Sequence, residues 1–191
     1  MRIHRLRSDN QLGFTILELL VTITVMAILS AVVLAMTAQE EKLTLLKKTA
    51  YLVAQDIREM QNLAMSGQGR NCGSNITQVF GIHFDKSGPN WNQSYVLFAD
   101  CNGNDLYKSS PDKDIIIRQV TLKPELNVAD ISLLAGNLGS TLDVTFRPPD
   151  PIISVNTATS GQETIITLGL KSNPSKTKVI RINTVGRVQV E

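Results

Sequence analysis

The chain has 191 residues, enough for one moderate domain besides an N-terminal segment. Charged residues make up 19% and aromatic residues 5%, which indicates neither a disordered chain nor an aromatic-rich binding surface. The formal net charge of +2 comes from residues 1–13, because residues 14–191 carry 16 basic and 16 acidic side chains. The charge is therefore no argument for nucleic-acid binding.

The first strong pattern is an apolar segment at residues 14–36. Its 23 residues contain no proline, no glycine and one ionisable side chain, Glu18. As a helix rising about 1.5 Å per residue, it would be roughly 35 Å long, enough to cross a bilayer. Arg2, Arg5 and Arg7 precede it, and basic residues favour the cytoplasmic side. The segment predicts a single-pass transmembrane helix with a cytoplasmic N-terminus.

Glu18 is the unexpected residue of this segment. A carboxylate inside a membrane span costs about 2.5–3.5 kcal/mol on insertion scales, so it is a functional-site hypothesis by default. The alternative is a glutamate near the headgroups that interacts with the N-terminal end of the helix dipole.

The sequence Gly13-Phe14-Thr15-Ile16-Leu17-Glu18, followed by an apolar helix, resembles the class III signal of type IV pilins and type II secretion pseudopilins. The resemblance implies that residues 1–13 are a leader and that a prepilin peptidase cuts after Gly13 and methylates the amine of Phe14. It also implies that Glu18 neutralises the N-terminal amine of a neighbouring subunit during assembly. A carboxylate and an ammonium group that are buried together have a smaller free-energy cost of desolvation than either buried alone.

The rival interpretation is an ordinary secretory signal with a small-residue cleavage site. The apolar segment is longer than a usual signal core, and Glu18 interrupts it. Met36 also occupies a position that such a cleavage site reserves for a small side chain.

Residues 37–66 continue without proline or glycine, which predicts that they are the soluble, amphipathic half of the same helix. Apolar residues recur there at spacings of three and four, which indicates one stripe that packs on the chain's own sheet. The stripe consists of Leu43, Leu46, Ala50, Val53, Ile57, Met60 and Ala64.

Residues 67–191 carry short β-like segments separated by turn residues. This pattern favours an antiparallel sheet or sandwich over βαβ units, and the predicted fold is therefore α+β and pilin-like. Residues 184–186 predict the turn of a closing hairpin. The predicted strands are residues 77–84, 94–99, 115–122, 127–133, 141–146, 152–155, 163–170, 178–183 and 187–190.

Two segments of this domain resemble the GspH/FimT family of minor pilins and pseudopilins. The first is residues 95–104, a strand that runs into an Asp/Asn/Gly turn, and the second is the closing stretch at residues 179–188. The resemblance implies a filament subunit of the bacterial inner membrane with a periplasmic domain. Its partners would be the prepilin peptidase and other pilin or pseudopilin subunits. A lone membrane-anchored binding domain is a further alternative.

Cys72 and Cys101 are the two cysteines of the chain. In the oxidising space outside the cytoplasmic membrane, an even pair favours a disulfide. Two unpaired buried thiols are the alternative, because sequence does not show whether their Cα atoms lie within bonding range.

Asp100, Asn102, Asn104 and Asp105 resemble the start of a calcium loop. An EF-hand requires glycine at its sixth position and glutamate at its twelfth, which here are Asp105 and Pro111. The residues therefore predict a turn, with calcium as a minor alternative.

The sequence predicts no enzyme and no cofactor. The histidines are His4, in the leader, and His83, which the alternating strand pattern suggests is structural or exposed. No nucleophile elbow, phosphate-binding loop or pair of metal ligands is present.

DNA binding is the alternative function. Some FimT-like pilins bind DNA through a C-terminal Gly-Arg-x-Arg motif, and Gly186 and Arg187 match its first half. Gln189 replaces the second arginine. Arg187 and Arg181 are the candidate contacts, but a phosphate site requires a clustered basic patch.

Overall fold

The computed structural model describes residues 14–73, 76–87, 91–108, 114–133, 136–137, 139–148, 152–156, 158–159, 163–183 and 185–191. Gly13, the first half of the expected cleavage site, lies outside these residues. The chain divides into two compact units, Met1–Glu41 and Lys42–Glu191. Helix α1 (Ile16–Met65) contributes to both.

The first unit contains the apolar part of α1. This helix is long and apolar enough to cross a membrane, and its side chains from residue 16 to residue 34 are exposed. The hydroxyls of Thr22 and Ser30 donate to the carbonyls of Leu19 and Met26 within the helix, at 2.9 and 2.8 Å. Such internal bonds suit a hydrocarbon environment, where a polar group has no water to bond.

The second unit begins with the amphipathic part of α1. Six of the seven predicted stripe residues are fully or almost fully buried, and Leu43 packs at the edge of the same core. A helix that buries one stripe against its own sheet gains most of its stability from this packing. The predicted α+β fold, a long N-terminal helix on antiparallel sheets, is confirmed.

The strands of the second unit pair antiparallel throughout the described residues. In chain order they are β1 (Arg70–Asn71), β2 (Ile76–Thr77), β3 (Phe80–Asp85), β4 (Ser94–Ala99), β5 (Ile115–Thr121), β6 (Leu126–Leu133), β7 (Gly136–Asn137), β8 (Thr141–Arg147), β9 (Ile152–Val155), β10 (Ala158–Thr159), β11 (Thr164–Leu170), β12 (Asn173–Ile182) and β13 (Val188–Val190). A 3₁₀ helix, Trp91–Gln93, precedes β4.

These strands form two main sheets and one small hairpin. The first main sheet has the order β10-β9-β8-β3-β4-β5, and the second has the order β13-β12-β11-β6-β7. Strands β1 and β2 pair only with each other among the described residues. The inward faces of both main sheets and the stripe of α1 bury one shared hydrophobic core.

The largest difference from the predicted strands is in β12. The sequence predicts residues 178–183, whereas the strand begins at Asn173. Asn173 pairs with Leu170 and Thr177 pairs with Gly169, so residues 174–176 bulge between two paired positions. The strand can include this polar, proline-containing stretch because the extra residues of a bulge do not need to hydrogen-bond to the neighbouring strand.

Gly81 of β3 occupies a position without room for a side chain. A Cβ there would lie 2.8 Å from Phe98 Cζ, Thr145 Cγ2 and the carbonyl oxygen of Val144. We expect Gly81→Ala to lower the free energy of unfolding by about 1–3 kcal/mol, because β3 lies between two strands that cannot move apart freely. Thermal unfolding of the full chain in detergent micelles measures the loss.

The matched control is Gly169→Ala in β11. Its Cβ would approach nothing closer than the Cβ of Ala129, at 3.1 Å, so we expect a clearly smaller effect. Equal losses for the two variants would contradict the steric explanation at Gly81.

Candidate assembly site

The start of α1 has a side-chain cap, which is not among the sequence-based predictions. The hydroxyl oxygen of Thr15, immediately before the helix, accepts a hydrogen bond from the backbone N–H of Glu18 at 3.2 Å. A Thr-x-x-Glu sequence at a helix start is the capping-box signature, and this pattern would have identified Thr15. Glu18 lies in the first turn, and the side chain of Phe14 is 83% exposed.

A disulfide joins Cys72 and Cys101, with their Cα atoms 5.6 Å apart. It ties the segment after α1 to the end of β4. The two residues are 29 positions apart, and closing a loop of this size stabilises a fold by about 3–4 kcal/mol in the chain-entropy model. Of the two alternatives that the sequence left open, the structure contains the bonded pair.

Residues 100–108 form a loop organised by its own carboxylate and amide side chains. The buried carboxylate of Asp100 accepts N–H bonds from Gly103 at 2.7 Å and from Asp105 at 2.8 Å. Asn102 and Asn104 each accept an N–H bond from the residue two positions later. These contacts are those of a turn. Among the described residues, no cluster of three or more His, Cys, Asp or Glu could hold a metal ion.

This loop covers the outer face of the first sheet. The ring of Tyr107 packs 4.9 Å from the ring of His83 and 5.3 Å from that of Phe98. Asp143 accepts the N–H of Tyr107 at 3.0 Å and contacts Nδ1 of His83 at 2.7 Å. Burial raises the pKa of Tyr107, and the charge of Asp114 raises it further.

His83 is therefore buried beneath the loop, with 8% of its surface exposed. Its recorded partner is the carboxylate of Asp143, and no hydroxyl or thiol nucleophile bonds to its ring within the described part of the chain. The geometry assigns His83 to the packing of the loop.

A polar cluster connects α1 to the edge of the first sheet. Tyr95 donates its hydroxyl to Asp56 at 2.6 Å, and Arg118 of β5 donates to Asp56 at 2.7 Å and to Glu59 at 2.8 Å. Burial raises the pKa of Tyr95 well above its usual range, and the hydrogen bond to Asp56 raises it further. We call these four residues the anchor cluster. No local sequence pattern indicates this cluster, because Asp56 and Arg118 are 62 residues apart.

The closing hairpin lies against the last turns of α1. Arg58 donates to the carbonyl of Val188 at 2.9 Å. Gly186, with a φ of 83°, approaches α1 so closely that a Cβ would lie 2.5 Å from Nε2 of Gln61. The predicted turn closes where the N–H of Gly186 donates to the carbonyl of Asn183 at 3.0 Å.

The two arginines proposed for DNA contact have different surroundings. Arg187 is exposed, and its guanidinium donates to the amide oxygen of Gln189 at 3.0 and 3.2 Å once that amide is oriented to satisfy both groups. Arg181 forms ion pairs with Glu163 at 3.5 Å and with Glu191 at 3.0 Å. The hydrogen bond to Glu191 is the main reason that the pKa of Arg181 is raised.

Two of the other basic side chains of this region lie far from Arg187. Lys171 and Lys176 are at the β11–β12 end of the sheet, whereas Arg187 adjoins the paired residues Ile182 and Val188. Six strand residues separate the two ends, roughly 20 Å at about 3.3 Å per residue. Lys171, Lys176 and Arg187 therefore do not form one clustered patch of the kind that phosphate binding requires.

The N-terminal segment is the part of the chain that matches a known family motif. The prokaryotic N-terminal methylation motif matches residues 8–34, a segment that contains Gly13, Phe14 and Glu18. No curated protein and no solved structure matches the chain. The motif supports a type IV pilin-like precursor that is processed by a prepilin peptidase and assembles with other pilins, and it points to a structural subunit. Together with the exposed apolar helix, it is consistent with a single-pass protein anchored in the inner membrane.

The raised pKa of Tyr95 predicts a dependence of stability on alkaline pH. Above about pH 10, the phenol loses its proton in the unfolded chain and keeps it in the folded chain, so stability falls as pH rises. We expect Tyr95→Phe to be less stable than the unchanged protein by about 1–3 kcal/mol near neutral pH, because Asp56 loses its donor. The difference in free energy of unfolding between the two proteins should become smaller above about pH 10, because only the unchanged protein has the phenol of Tyr95.

Urea unfolding of the full chain in micelles across this pH range measures both effects. Tyr51→Phe is the control, because Tyr51 is 61% exposed and its hydroxyl bonds to none of the described residues. If the difference in free energy of unfolding between Tyr95→Phe and the unchanged protein stays constant with pH, the raised pKa of Tyr95 is not the cause of the alkaline loss.

Proposed function

We propose that the chain is the precursor of a minor pilin or pseudopilin of the GspH/FimT type. Residues 1–13 are its leader, and a prepilin peptidase cuts between Gly13 and Phe14 and methylates the new amine of Phe14. Residues 14–36 cross the inner membrane, residues 37–66 continue the helix, and residues 67–191 form the periplasmic domain. The mature protein packs into a filament through its helix and has a structural role.

The observation that carries this proposal is the single carboxylate of the apolar helix. Glu18 lies four residues after Phe14, within the matched methylation motif. No described residue forms an ion pair with it, and it lies on a helix whose other side chains as far as residue 34 are apolar or are Thr and Ser. A carboxylate in such surroundings needs a positive partner. The N-terminal amine of a neighbouring processed subunit supplies one.

Two further observations favour a GspH/FimT-type subunit outside the cytoplasm. Strand β4 runs into the Asp100 turn, and the chain closes with the β12–β13 hairpin, the two segments on which the resemblance depends. The disulfide between Cys72 and Cys101 fits an oxidising compartment.

The cleavage assignment predicts the fate of a leader variant. Co-expression of the full chain with a prepilin peptidase should give a product that begins with N-methylated Phe14, measured by intact mass and N-terminal sequencing. Gly13→Leu should remain uncut, because a bulky side chain occupies the place of the residue that the peptidase recognises. Efficient maturation of Gly13→Leu would refute the cleavage site, and an uncut unchanged chain would favour a plain membrane anchor.

The role of Glu18 predicts a separate effect on assembly. Glu18→Ala should be cut and methylated normally, yet its incorporation into filaments should fall at least about tenfold, because the neighbour's amine then lacks its partner. Sheared filaments and the membrane fraction are compared by immunoblotting. Glu40→Ala removes an exposed carboxylate of the same helix and should incorporate normally. Equal incorporation of both variants would refute the role of Glu18.

A further inference from the structure

The second unit has an open groove beside the anchor cluster. The groove lies between one flank of α1 and the C-terminal half of β5, and its volume is about 440 Å³. Leu45, Leu52, Val120 and Leu122 line it with apolar surface, and Leu52 is 48% exposed. An exposed leucine that lines a concave apolar surface is typical of a binding groove.

The groove adjoins an unpaired sheet edge. Within the described part of the chain, β5 pairs only with β4. The N–H of Leu122 donates to the carbonyl of Gln93 on the β4 side, and bonding direction alternates along an antiparallel strand. The N–H and C=O groups of Gln119 and Thr121 therefore point away from β4, on a side where no other described strand pairs with β5.

The side chains of β5 alternate between its two faces, and one of these faces borders the groove. Val120 pairs with Tyr95 and Arg118 pairs with Leu97, so both face α1. A strand added to β5 would hydrogen-bond to Gln119 and Thr121, and its residue opposite Val120 would point into the groove. The edge supplies backbone bonds and the groove supplies a side-chain pocket for the same strand.

The charges around the groove restrict the chemistry of that strand. Lys48 and Lys123 line the groove, are exposed and form no ion pair with any described residue. Arg118, in contrast, is already paired with Asp56 and Glu59. In an added antiparallel strand, the residue two positions before the one opposite Val120 lies opposite Leu122, next to Lys123 in the chain. The groove therefore fits an aliphatic side chain with an acidic residue two positions before it.

We propose that the edge of β5 and this groove bind an extended acidic-x-aliphatic segment of another subunit as an added antiparallel strand. This inference rests on the proposed function, because assembly supplies the partner subunit. It assigns the periplasmic domain a contact that is independent of the apolar helix.

The test uses the full, unprocessed chain in detergent micelles and a fluorescent hexapeptide, Thr-Glu-Thr-Leu-Thr-Thr. Fluorescence anisotropy should show saturable binding. Thr121→Pro removes an outward N–H and should weaken binding at least tenfold, whereas Thr121→Ala keeps that N–H and should bind within about twofold of the unchanged chain. Circular dichroism and thermal unfolding confirm that both variants are folded.

A charge exchange tests the position of the acidic residue. Lys123→Glu should weaken binding of this peptide and favour one with lysine in place of glutamate, while Lys176→Glu, at the far end of β12, should change neither. No saturable binding, equal binding by Thr121→Pro and Thr121→Ala, or no change in preference in Lys123→Glu would overturn the proposal. Dimerisation of the chain that Leu52→Glu abolishes, without peptide binding, would instead show a second copy in the groove.

These outcomes are separable from those of the proposed function, because the measurement does not require cleavage at Gly13. If the chain binds the peptide but a co-expressed prepilin peptidase never cuts it, the groove proposal is supported and the filament role is refuted. Processing without peptide binding would refute the groove alone.

Discussion

The backbone hydrogen bonding of α1 is the constraint on which the other features depend. In hydrocarbon a polypeptide segment must satisfy its own N–H and C=O groups, and a continuous helix does so without a partner. The exposed apolar side chains of residues 16–34 and the hydroxyls of Thr22 and Ser30, bonded back to carbonyls of the helix, fit this requirement. Against this background the carboxylate of Glu18 is costly, which is why a partner for it is central to the proposed function.

In the second unit the same helix meets a different requirement, because here its packing must be specific. The stripe from Leu46 to Ala64 provides the apolar contact with both sheets, but apolar contact is not directional. The bonds from Tyr95 and Arg118 to Asp56, and the bond from Arg58 to the carbonyl of Val188, are directional and join the helix to opposite edges of the core. They determine which flank of α1 faces β5, and therefore where the groove opens.

The outer face of the first sheet shows how a loop can complete a fold. Phe98 and His83 would be exposed on that face if residues 100–108 did not cover them, and Tyr107 packs on both. The loop keeps this position through buried carboxylates that accept its N–H groups, including those of Asp100, Asp114 and Asp143. A loop with so many satisfied N–H groups is a fixed part of the domain, and the disulfide at Cys101 extends that rigidity to the segment after α1.

The sequence by itself determined the features that depend on neighbouring residues. The apolar segment at residues 14–36, the spacing of the stripe from Leu43 to Ala64 and the strands at residues 94–99 and 152–155 are local patterns, because helix and strand periodicity act over a few residues. Only the tertiary structure decided the pairing of Asp56 with Arg118, the burial of His83 under Tyr107 and the groove beside the open edge of β5. Each of these joins segments that lie tens of residues apart, and their meeting depends on strand order, register and core packing, which no local pattern encodes.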